Sequence, residues 1–159
     1  MIIVKYIKKM TNFCFYLSSM MIFLSVAIII IEIILRRFFS SSLYVADEYT
    51  GYLLCGVIMM GLASTLREKG HIRMTIFYEF LSMKNKLIVD KIIHIVGFIF
   101  LAYLAIVTGN LFWRSAIGGV RAMSLSQTYI AIPQFFMPLG FFVMSLQFFE
   151  NIYYDFKTK

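Results

Sequence analysis

Four long apolar stretches alternate with charged or turn-rich connections along the chain. They cover about residues 13–35, 49–66, 87–112 and 132–149. None has the two-residue alternation of a half-buried strand. At ~1.5 Å rise per residue, each approaches or exceeds the ~30 Å hydrocarbon core of a bilayer when helical. The pattern predicts an all-α membrane protein with four transmembrane helices. With no polar linker long enough to separate folding units, residues 1–159 read as one integral membrane domain.

The connections add detail. Before the first stretch, Ile2, Ile3, Tyr6, Ile7 and Met10 alternate at helical spacing with Lys5, Lys8 and Lys9. Two readings are open here, a short helix lying on the membrane surface or a basic tail. The first stretch exceeds the ~7–15 residues of a signal-peptide core, and no Ala-x-Ala site follows it, so it predicts an uncleaved span. Glu32 stands four residues before Arg36 on one helix face. It either pairs with Arg36 or Arg37 at the interface, or contacts a partner helix or handles a proton. Asp47 and Glu48 either serve the positive amino end of the second span or form an interaction site at the outer face.

Gly51, Gly56, Gly61, Ala63 and Ser64 make the second span rich in small residues, which allow close helix approach in lipid. Their spacing is not Gly-x-x-x-Gly, whereas Ala105 and Gly109 form a small-x-x-x-small pair in the third span. Asp90 and His94, four apart, predict a local Asp–His pair. The segment Met74–Met83 is apolar enough for a short interfacial helix. Pro133 suits the first turn of the fourth span, and Pro138 predicts a kink inside it.

Composition and charge sharpen the picture. The chain is 61% hydrophobic and only 14% charged, with mean hydropathy +0.84; a soluble domain carries roughly 25% charged residues. The net charge of +7 does not point to nucleic acid, because the cations cluster at the ends of apolar runs. Of 15 Lys and Arg, only Arg36, Arg37, Arg114 and Arg121 lie in the first and third connections. The rest flank the termini and the central loop, Arg67 to Lys86. This bias predicts that both termini and the central loop are cytoplasmic. Cys14 and Cys55 then sit toward opposite faces, beyond the ~7 Å Cα separation a disulfide tolerates.

Catalytic signatures are missing. The sequence has no Gly-rich phosphate loop, no Cys-x-x-Cys and no His-Glu-x-x-His. No nucleophile–base pair stands out by spacing, so the chain is not expected to be an enzyme. Too few polar residues interrupt the spans to line a solute pathway, and carriers with their own pathway show repeated halves with broken helices. Part of a carrier is the expectation. The alternative is a haem-bearing membrane anchor of a redox enzyme, with His71 and His94 as ligands on neighbouring spans. His71 follows Gly70 in the charged loop, a poor position for that geometry.

One set of positions is more specific. Glu48, Gly61, Arg67 and Gly70-His71-Ile72, followed by Gln127-Thr128, Ile132-Pro133 and Pro138-Leu139-Gly140, resembles the small permease subunit of TRAP transporters, the DctQ-like family. Length and the four-span plan match as well. Two positions depart from the pattern. Val45-Ala46 stands where members often carry Trp, and Thr75 where they often carry Asp.

The resemblance implies a non-catalytic, multi-pass subunit of the bacterial inner membrane. Its partners would be a large membrane subunit, which holds the substrate and sodium sites, and a periplasmic binding protein. Uptake of an organic acid, such as a dicarboxylate or sialic acid, would be a sodium-coupled symport, with no cofactor on this chain. Its own part would be to brace the large subunit's scaffold. In that setting, Gly51, Gly56 and Gly61 would let the spans approach the partner. Arg67, His71 and Arg73 would fix the central loop through lipid phosphates or partner carbonyls. Asp47 and Glu48 would lie near the docking face, and Glu32 and Arg36 at a partner or lipid interface.

Overall fold

A computed structural model of the chain describes residues 2–68 and 83–157. The expected interfacial helix at Met74–Met83 falls almost wholly outside them, as do His71 and Arg73. The described residues form four long helices and one short one. They are α1 (Ile2–Phe39), α2 (Ala46–Arg67), α3 (Met83–Ile117), α4 (Ala131–Gln134) and α5 (Phe136–Lys157). The four segments long and apolar enough to cross a membrane are Val4–Phe39, Ala46–Arg67, Asn85–Ile117 and Ala131–Lys157. All four predicted spans lie within them.

The amino-terminal segment is neither a separate surface helix nor a tail. Residues 2–12 continue α1 without a break. No Gly or Pro interrupts the sequence from Ile2 to Phe39, so nothing stops the helix once it is nucleated. Its length is about 57 Å at ~1.5 Å per residue, well beyond a ~30 Å hydrocarbon core. It ends in a left-handed cap. Ser40 has φ 48°, a left-handed position usually taken by glycine, and the Ser41 amide donates back to the Leu35 carbonyl at 3.3 Å.

The fourth span is interrupted one turn before Pro138, within Ala131–Lys157. α4 ends at Gln134, Phe135 is a turn residue, and α5 starts at Phe136. Pro138 therefore lies inside the span but in the first turn of α5. The reason is steric. A proline ring clashes with the carbonyl four residues back and offers it no hydrogen, so the continuous ladder fails at Gln134 and restarts where a missing N–H costs nothing.

α5 is the hub. It packs on α3, α2 and α1, while α1 also packs on α2, giving a lateral order α1–α2–α5–α3. A close backbone approach joins α5 to α2. A Cβ placed on Gly140 would lie 2.5 Å from the Met59 carbonyl oxygen and 2.8 Å from its carbon. Only glycine lets the two backbones meet this way. Gly97 of α3 receives the Phe148 ring of α5, and Gly109 faces Pro138. Around these contacts lies a core of Cys14, Met60, Ala63, Leu101, Val143, Met144 and Phe148. Cys14 and Cys55 are both free thiols.

The helices sort the chain into two ends. Arg67 at the end of α2 reaches Asn12 and the Lys8 carbonyl near the start of α1. His94 near the start of α3 meets Asp155 near the end of α5. Both termini thus share one end with the two helix ends that flank the central loop. The α1–α2 corner and the α3–α4 connection form the opposite, far end.

Candidate functional site

At the far end, Glu32 closes the α1–α2 corner. One carboxylate oxygen accepts from the Arg36 guanidinium and from the Ser42 hydroxyl at 2.7 Å, and the other from the Leu43 backbone amide at 2.6 Å. The carboxylate is almost wholly buried and fully engaged. The pairing with Arg36 follows from the four-residue spacing on α1. Ser42 and Leu43 join it because the corner folds back over the last turn. Taking a charge out of water is costly unless hydrogen bonds replace the lost hydration, and here three donors do so.

Glu48 anchors a second cluster nearby in sequence. Its carboxylate accepts from the Tyr52 hydroxyl one turn along α2, and the Ser124 and Ser126 hydroxyls lie beside it. Those serines come from the connection after α3, which folds as a small hairpin. Ala122 donates to Thr128 at 2.9 Å and Ile130 to Val120 at 3.1 Å. Gly119 (φ 58°) and Gln127 (φ 46°) turn it through left-handed backbone. The hairpin is tied to α2 again by Thr128, which donates to the Tyr49 hydroxyl at 3.2 Å, and is braced by Arg121 against Tyr129 at 2.6 Å. Asp47, beside Glu48, is exposed in the first turn of α2. Glu48 thus stitches a loop to a helix through neutral hydroxyl donors, and none of these groups forms a nucleophile–base pair.

Near the terminal end, a polar chain crosses the packed interior. Thr11 of α1 donates to the Gln147 Oε1 at 3.4 Å, and the Gln147 amide donates to Glu150 at 3.1 Å. Thr11 and Gln147 are shut off from solvent, and Glu150 is only 3% exposed. Close by, His94 Nδ1 meets Asp155 Oδ2 at 2.5 Å, with the Phe148 ring edge-on to the imidazole. The partner seen for His94 is thus Asp155 of α5, which the four-residue spacing to Asp90 did not suggest. His94 reaches across to α5, because antiparallel packing of α3 on α5 brings residue 155 to the same level.

The glycines nominated on α2 divide. A Cβ on Gly56 would run into the Met21 thioether and come within 3.5 Å of Phe136, and Gly61 faces the Ser18 hydroxyl. Both serve contacts within the chain. Gly51 has open space around it. Arg67 is also used internally, on Asn12 at 2.6 Å. Sequence reading missed Gly97, Gln147, Glu150 and Asp155. A buried Gln–Glu pair three residues apart late in an apolar span was a signal that could have been followed. The roles of Ser124 and Ser126 had none, since they depend on how the hairpin folds back.

A four-span helical membrane protein emerges, with no metal-binding cluster of His, Cys, Asp and Glu among the described residues. Residues 25–158 match the family described as tripartite ATP-independent periplasmic transporters, DctQ component. The chain belongs to that family, as a small permease subunit. No curated protein and no solved structure matches it. The haem-anchor alternative gains no support from the family assignment.

Proposed function

We propose that this chain is the non-catalytic small subunit of a sodium-coupled TRAP transporter of the bacterial inner membrane, taking up an organic acid and bracing the scaffold of a large membrane subunit. The observation that carries this reading is the division of surfaces. The described interior holds packed side chains and helix-to-helix hydrogen bonds, whereas the outer faces of α1 and α3 leave long rows of large apolar side chains uncovered. Such faces suit lipid or a partner's helices. The charge bias of the connections supports cytoplasmic termini, which turns the far end, with Asp47 and the Glu48 hairpin, toward the periplasm and the binding protein.

Reconstitution tests the reading. Proteoliposomes holding this chain alone should take up no organic acid under a sodium gradient. Vesicles holding it with its co-purified membrane partner should take it up when the binding protein is added. Gradient-driven uptake by the chain alone would refute the proposal.

A further inference from the structure

A groove of about 340 Å³ runs between α1 and α5, within the ~300–1,000 Å³ typical of small-molecule sites. Tyr6, Lys9, Met10 and Phe13 of α1 form one wall, Leu139 and Val143 of α5 the other. All but Lys9 and the Tyr6 hydroxyl are apolar, and the groove lies along a membrane-crossing helix. Lys9 stands four residues before the first apolar stretch, so its backbone sits about 6 Å beyond that stretch at ~1.5 Å per residue. That is headgroup depth. Lys5 is one turn further out on the same face. No ion pair among the described residues engages Lys5 or Lys9, and both are exposed.

We infer that this groove is a binding site for an anionic phospholipid of the leaflet at the terminal end. One acyl chain lies between α1 and α5 against Met10, Phe13, Leu139 and Val143. The phosphate sits on Lys9, with Lys5 as a second cation. The order of chemistry along the groove, apolar walls within the core and an ammonium at its mouth, is that of a phospholipid. A partner helix would need no cation there. Among the described residues, the two late acids of α5 do not compete on this face. Glu150 is buried and held by Gln147, and Asp155 is turned to His94 on the α3 side. A larger cavity of about 580 Å³ between α3 and α5 has no charged residue in its wall and so lacks this headgroup anchor.

The test uses the full chain, with whatever membrane partner co-purifies, in bilayer nanodiscs. These contain phosphatidylglycerol or phosphatidylcholine bearing a photoreactive group in one acyl chain. Labelled peptides are then mapped by mass spectrometry. The expected result is phosphatidylglycerol label on the Met10–Phe13 and Leu139–Val143 peptides, about 25-fold above phosphatidylcholine when both lysines contribute. Replacing Lys9→Gln, and then Lys5→Gln as well, should lower it about fivefold for each lysine removed, with Lys9→Arg retaining it. Raising the salt should erode the preference in the unaltered chain, a readout that needs no variant. Equal labelling by the two lipids, no loss in Lys9→Gln, or cross-linking of these peptides to a partner polypeptide instead of lipid would each overturn the site.

Discussion

The seam between α2 and α5 and the outer face of α3 are built from much the same apolar alphabet, yet they do opposite things. At the seam, Gly140 meets the Met59 backbone, Met60 and Val143 are buried, and polar Gln147 and Glu150 are enclosed alongside. On α3, Ile92, Val96, Ile99, Tyr103 and Ile106 are at least half exposed. In water this would be backwards. In lipid, apolarity marks no inside, because the surroundings are as apolar as the side chains. Small residues and hydrogen-bonding ones mark the packing face instead.

Breaking the seam should have the largest effect. Gly140→Val drives a methyl-bearing carbon into the Met59 carbonyl, which cannot swing aside as a side chain can. A loss of about 3 kcal/mol or more is expected, the upper range for overpacking, read as a large fall in melting temperature of the purified chain in detergent. Gly51→Val, with nothing within 4 Å of its Cβ, should melt like the unaltered protein. Gly56→Ala should fall between them, since it meets the flexible end of Met21.

The buried polar chain comes next. Gln147→Leu removes the amide donor from Glu150 and should cost about 1–3 kcal/mol, the penalty for an unsatisfied buried group. The double variant Gln147→Leu/Glu150→Leu should recover only part of that loss, because Glu150 is then gone but the buried Thr11 hydroxyl still lacks its acceptor. At the α1–α2 corner, Glu32→Ala strands Ser42 and the Leu43 amide and should destabilise measurably by the same assay. Arg36→Ala should cost less than about 1 kcal/mol, since the Arg36 side chain is 61% exposed and exposed ion pairs are weak. The smallest effect belongs to the outer face. Ile99→Ala/Tyr103→Ala should shift the isolated chain by no more than roughly 0.5 kcal/mol, while lowering the yield of any membrane partner that α3 contacts.

How far the sequence could be read follows the same division. The four spans were legible because long apolar runs have few other fates. The Glu32–Arg36 pair was legible because both partners sit on one helix. The extension of α1 through residues 2–12 was hidden by its lysines, which read equally well as a surface helix or a tail. The partner of His94 was not legible, because the choice between Asp90 and Asp155 depends on which helix lies beside α3. Gly140 carried the family resemblance, but its contact with Met59 became visible only once α5 was placed against α2. Gly56 and Gly61 lie against Met21 and Ser18 of α1, contacts that could be named only once α1 was placed against α2.

The central claim is that the chain works by packing against a carrier and does not carry solute itself. Pull-down of the tagged chain from native membranes in mild detergent, with the co-purifying proteins identified, tests it most directly. The account predicts a large, many-span membrane protein in constant ratio to the chain. Recovery of the chain with no membrane partner would contradict it.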